Sequence, residues 1–144
     1  MKLEGWERPR NRRATRKGVR AIMARILVID DDREMRAMLK VSLMLEGHEV
    51  VMAANGKEGF AHYQGQAADL VITDLYMPDQ ECLETIRQFR KSFPEARIIA
   101  MSGGTAAETM LSISKKLGAV ESLQKPFEQH EFFAVVNRVL TSAL

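Results

Sequence analysis

Five short apolar runs, 25–30, 49–53, 69–74, 97–102 and 119–123, alternate along the chain with stretches whose apolar residues recur every three or four positions. Runs of about five residues rich in Ile, Leu and Val suit strands covered on both faces, where no polar alternation is needed. The intervening stretches, near 33–46, 56–64, 81–92, 105–117 and 127–142, have the period of amphipathic helices. In the first, Met35, Met38, Leu39 and Leu43 share one expected inner face, Asp32 stands where an N-cap belongs, and Gly47 follows as a stop. Leu83, Ile86 and Phe89 mark the third helix, and Pro94 ends its region. Ala106, Met110, Ile113 and Leu117 mark the fourth, with Gly118 as its stop. Phe132, Val135, Val136, Val139 and Leu140 mark the fifth.

Strands that alternate strictly with helices predict the α/β class: a five-stranded parallel sheet, doubly wound, with helices on both faces because its crossovers are right-handed. No internal repeat and no linker to a second domain is visible, so an attached output domain is not expected. In such a sheet ligands bind at the carboxyl ends of the strands. The residues that end each run therefore carry the functional question.

Asp30, Asp31 and Asp32 follow the first run, and Asp74 ends the third. Carboxylates at neighbouring strand ends repel one another, and a hard divalent cation relieves the repulsion. Asp31 and Asp74 can each donate one oxygen to Mg²⁺, a backbone carbonyl just after Asp74 can be a third ligand, and one aspartate stays free to react. Capping of the first helix is the plainer explanation, but Asp32 alone would do that. Ser102, Gly103 and Gly104 follow the fourth run. There a hydroxyl can bond a phosphoryl oxygen, and two glycines leave it room to approach. Lys125, Pro126 and Phe127 follow the fifth. A lysine ending a buried strand needs a partner, and Asp74 is the natural one.

Composition adds less. The 144 residues are 46% hydrophobic, with no apolar stretch of membrane-spanning length and no signal-peptide pattern. A single cysteine, Cys82, excludes an internal disulfide and fits a reducing compartment. The net charge of +2 conceals an asymmetry: residues 1–22 hold eight Lys/Arg against Glu4 and Glu7, leaving 13 basic and 17 acidic side chains beyond them. This basic head has little apolar pattern and is expected to be an unstructured extension, with Met23 a candidate true start that would leave residues 1–22 as upstream read-through. A nucleic-acid or membrane-binding arm is the sharper alternative.

In their order and spacing, the segments ILVIDDD, DLYMP, AMSGG and KPF resemble the motif regions of a bacterial response-regulator receiver domain, over residues 25–142. The resemblance is to the chemotaxis-regulator-like, single-domain kind, and it implies the flavodoxin-like strand order 2-1-3-4-5. It implies a phosphoprotein of a two-component or phosphorelay system, with residues 23–144 as its receiver domain. Asp74 would be the phosphoacceptor. Asp31 would ligate Mg²⁺ directly, Asp30 through water, and Tyr76 through its backbone carbonyl. Ser102 would be the hydroxyl switch and Lys125 the basic partner, aimed inward by a cis Lys125–Pro126 bond. The implied partners are a sensor histidine kinase or histidine phosphotransfer protein and a downstream protein target, in the cytoplasm, with neither a DNA-binding domain nor a membrane. Such a chain assists its own phosphoryl transfer and acyl-phosphate hydrolysis but is otherwise not an enzyme.

Three positions depart from the family pattern. Ser122 replaces the aromatic residue three positions before the motif lysine, which removes the usual ring from the switch. Cys82 replaces a glycine, and Tyr76 puts a ring where acyl-phosphate lifetime is tuned. Two other functions remain open. One is a receiver-fold binding module that acts without phosphorylation. The other is a haloacid-dehalogenase-type phosphatase, which wants an aspartate two residues after its nucleophile. After Asp74 that position is Tyr76. After Asp30 it is Asp32, followed by Glu34 rather than the expected Thr or Ser.

Overall fold

A computed structural model of the chain describes residues 13–16, 19–75 and 82–142, with side chains from Met23 onward except that of Cys82. The strands are β1 (Arg13–Arg16), β2 (Val19–Ile22), β3 (Arg25–Ile29), β4 (Glu49–Ala53), β5 (Leu70–Asp74), β6 (Ile98–Ser102) and β7 (Glu121–Gln124). The helices are α1 (Arg33–Leu45), α2 (Gly56–Gly65), α3 (Cys82–Ser92), α4 (Ala107–Leu117) and α5 (Gln129–Thr141). Five strands pair in parallel in the order β4-β3-β5-β6-β7, which is 2-1-3-4-5 when only that sheet is counted. Within the head, expected to be unstructured, β1 and β2 pair antiparallel as a separate ribbon.

Successive side chains of each central strand enter opposite cores, which explains the unbroken apolar runs. Ile26, Val28, Leu70, Ile72, Ile99 and Met101 face α1 and α5. Leu27, Ile29, Val71, Ile98 and Ala100 face α2, α3 and α4. On that second face Phe60, Tyr63, Phe89 and Phe93 interlock with ring centroids 4.6–6.0 Å apart, locking α2 to α3.

The helix ends follow their local chemistry. Asp32 accepts from the Glu34 and Met35 amides and starts α1, and Gly47 ends it at φ +95°. Glu128 and Glu131 form a capping box at the start of α5. Gly118 ends α4 at φ +129°, and the Arg90 guanidinium clasps that turn through the Gly118, Ala96 and Pro94 carbonyls.

Two expected inner faces are shifted. In α1 Leu39 and Leu43 are buried, but Met38 is 49% exposed and Ser42 takes an inner position, bonded to Gln129 of α5. In α4 the buried residues are Ala107, Leu111 and Ser114, while Ala106 and Ile113 are exposed, a rotation of about one residue. Ser114 tolerates full burial because its hydroxyl donates to the Leu111 carbonyl. No helix among the described residues is long and apolar enough to cross a membrane.

Candidate functional site

Parallel pairing lines up the carboxyl ends of β3, β5, β6 and β7, so the residues that follow them converge on one rim. Asp30, Asp31 and Asp74 each bring a carboxylate oxygen there, all within 4.8 Å of one another. Asp30 and Asp74 are buried and Asp31 is exposed. Three hard oxygen donors at that spacing, one open to solvent, fit a small divalent cation that keeps part of its water shell. Tyr76, expected to add a carbonyl, lies outside the described residues.

Lys125 enters from beyond β7. Its Nζ lies 3.1 Å from Asp30 Oδ2 and 3.4 Å from Asp74 Oδ1. The expected partner was Asp74; the ammonium bridges both carboxylates and sits closer to Asp30. The lysine side chain is 18% exposed and the Asp30 side chain wholly buried, so the pair works at low dielectric. The Lys125–Pro126 bond is cis, as expected.

Ser102 ends β6 and is buried at the same rim. Its carbonyl accepts from the Lys125 amide at 2.8 Å, which ties the hydroxyl-bearing turn to the lysine turn. The two glycines after it have different tasks. A side chain on Gly103 would press on the Lys125 stem, so this glycine makes way for the lysine. Gly104 adopts φ +87° with open space around it.

Asp30 has all four of its polar atoms engaged. Its amide donates to the Ala53 carbonyl, Oδ1 accepts from the Asp32 amide at 2.9 Å, Oδ2 faces Lys125, and its carbonyl accepts from Arg36 Nη1 at 2.7 Å. Nothing in the apolar pattern marks Arg36 as a site residue. A guanidinium one turn into α1 is the one signal that could have pointed to it, because only a long side chain reaches back over the loop.

Ser122 lies in β7 opposite Ala100 of β6, half-buried. Beside it Glu121 pairs with Arg138 of α5 through Nε at 3.1 Å and Nη2 at 3.2 Å. The guanidinium's hydrogen bonds hold the Glu121 carboxyl below the usual carboxylate range.

Comparison with known proteins places these features in a family. The family model for the response regulator receiver domain matches residues 26–137. The DNA-binding transcriptional regulator NtrC of Azospirillum brasilense is 40% identical over 83% of this chain, and the chemotaxis protein CheY of Thermotoga maritima is 33% identical over 80%. The chain spans 24% of that NtrC and 50% of the similar CpxR of Klebsiella pneumoniae, but 96% of the chemotaxis protein. Among solved structures, a response regulator receiver domain protein from Clostridium thermocellum superposes with a TM-score of 0.77 at 29% identity, over 83% of this chain and 96% of that one.

Proposed function

The chain belongs to the response regulator receiver domain family, and on that premise we propose that it accepts a phosphoryl group on Asp74 in a two-component or phosphorelay system. One observation carries the reading: the Lys125 ammonium and the oxygens of Asp30, Asp31 and Asp74 meet at a single rim. In this reading the rim holds the nucleophile, a cation to steady it, and oxygens for a second cation.

In this reading a carboxylate oxygen of Asp74 attacks phosphorus in line. The bond from phosphorus to the donor's imidazole nitrogen breaks, and the imidazole leaves with the electron pair and takes up a proton. Lys125 already bridges Asp30 and Asp74, so its ammonium stands ready to offset charge on the transferring group without reorganising. Ser102 donates its hydroxyl to a phosphoryl oxygen, and its movement toward that oxygen biases the surrounding surface between two states. Asp31 and Asp74 would hold Mg²⁺ together with the Tyr76 carbonyl, and Asp30 would act through water. Bound there, the ion supplies positive charge to the phosphoryl oxygens. The donor would be a sensor histidine kinase or histidine phosphotransfer protein and the receiver of the signal another protein. Catalysis would extend no further than the chain's own phosphorylation and dephosphorylation.

The experiment is intact-mass measurement after treatment with acetyl phosphate and Mg²⁺. One phosphate adduct is expected, lost with hydroxylamine and absent in Asp74→Asn. An adduct that survives in Asp74→Asn would move the nucleophile elsewhere. No adduct in the wild type would favour a module that binds partners without phosphorylation, a reading that Ser122 supports by lacking the ring of the usual switch.

A further inference from the structure

We infer that Arg36 is a positioning residue for the cation site, acting on Asp31 through the peptide bond between Asp30 and Asp31. The inference rests on reading the acidic rim as a cation site. Arg36 is anchored by its place in α1, where its amide donates to the Asp32 carbonyl at 3.0 Å. Its guanidinium then reaches back over the first turn to the Asp30 carbonyl at 2.7 Å. That carbonyl belongs to the rigid plane that also contains the Asp31 nitrogen and Cα. Fixing the oxygen fixes the plane, and the plane sets where the Asp31 side chain begins. Asp31 is exposed, so no surrounding core sets its direction. Asp30 is held at its amide and both carboxylate oxygens by other groups. The Asp30 carboxylate holds the far side of Asp31 through the Asp32 amide, and Arg36 is the side chain that holds the oxygen of the peptide between the two aspartates.

Charge and geometry pull in opposite directions here, which gives the inference a sign to test. A guanidinium bonded to the Asp30 carbonyl adds positive charge beside the rim, so deleting its charge alone would tighten Mg²⁺ binding. Deleting a residue that aims Asp31 would loosen it. Outer groups that orient metal ligands are commonly worth tenfold or more in affinity.

The test is calorimetric Mg²⁺ titration of the full chain as wild type, Arg36→Met and Arg33→Met, with amide NMR spectra of each free of metal. Arg33 is the control: an exposed cation on the same first turn. Arg36→Met is expected to weaken Mg²⁺ roughly tenfold and to move the Asp31 amide signal before any metal is added. Arg33→Met should bind as wild type or slightly tighter. Unchanged or tighter binding in Arg36→Met, or equal loss in both variants, would overturn the inference. So would a wild type that binds no Mg²⁺. Should Arg36→Met not fold, Arg36→Gln poses the same question, since its shorter amide falls short of the carbonyl. Phosphate uptake by the wild type is scored separately: a wild type that binds Mg²⁺ but takes no phosphate ends the phosphoacceptor reading and leaves the role of Arg36 standing.

Discussion

Lys125 crosses the ends of two intervening strands to place its ammonium 3.1 Å from Asp30 Oδ2, a partner 95 residues away in the chain. Asp30 is wholly buried, so the ion pair, with the Asp32 amide on its other oxygen, makes its charge tolerable. Removing the lysine takes away the ammonium that bridges Asp30 and Asp74. Lys125→Met is therefore expected to lower metal-free stability by roughly 2 kcal/mol, with Mg²⁺ restoring more of it than Mg²⁺ adds to the wild type. Urea unfolding with and without Mg²⁺ checks this. A variant as stable as the wild type without metal would show that the bridge contributes nothing to the fold.

Asp31→Asn keeps the size of the side chain and removes its charge. It is expected to raise the Mg²⁺ dissociation constant at least tenfold, on the order of 1.4 kcal/mol. Titration with Mg²⁺ reads it directly, and an unaltered constant would remove Asp31 from the ligand set.

His48 joins the loop before β4 to the start of β3. Its Nδ1 accepts from the Ala24 amide at 3.1 Å, and burial lowers its pKa from the ordinary 6.5, with Glu46 opposing weakly. A proton on Nδ1 would break that bond. The unfolded chain takes up the proton near 6.5 and the folded one only at lower pH, so stability is intact above that value and declines as pH falls toward the folded pKa. Denaturant midpoints measured from neutral to mildly acidic pH should drop for the wild type, and His48→Asn should flatten part of that slope. Parallel slopes for the two proteins would contradict the assignment.

Gly56, the first residue of α2, abuts the buried Thr85 of α3, and a methyl group there would collide with the Thr85 hydroxyl. An exposed helical glycine normally gains stability on replacement by alanine. Here the sign should reverse, with Gly56→Ala costing about 1–3 kcal/mol. Chemical denaturation decides it, and any gain in stability would mean that α2 and α3 move apart freely.

Much of this was legible in the chain. The apolar runs gave all five strands of the main sheet within a residue or two, because a strand buried on both faces must be apolar throughout. The carboxylates, serine and lysine that end those runs could be read as one site, because parallel pairing brings the ends of such strands to one rim. Helix starts and stops at Asp32, Gly47 and Gly118 were visible because capping is chemistry between near neighbours.

What required the tertiary structure were choices between equivalent local options. Helix α1 carries apolar residues around most of its circumference, so its sequence cannot say that Leu39 turns inward and Met38 outward. The surfaces of β3 and α5 decide that. In α4, Ser114 looks like an outer residue until its hydroxyl is seen closing on the Leu111 carbonyl. Lys125 faces two carboxylates of equal charge, and that it sits nearer Asp30, beyond the more distant strand β3, is seen only in the folded chain. Arg36 reads as one more surface cation until the chain turns back over Asp30. Periodicity and capping belong to one segment at a time, whereas the direction in which a side chain is used depends on which other segment packs against it.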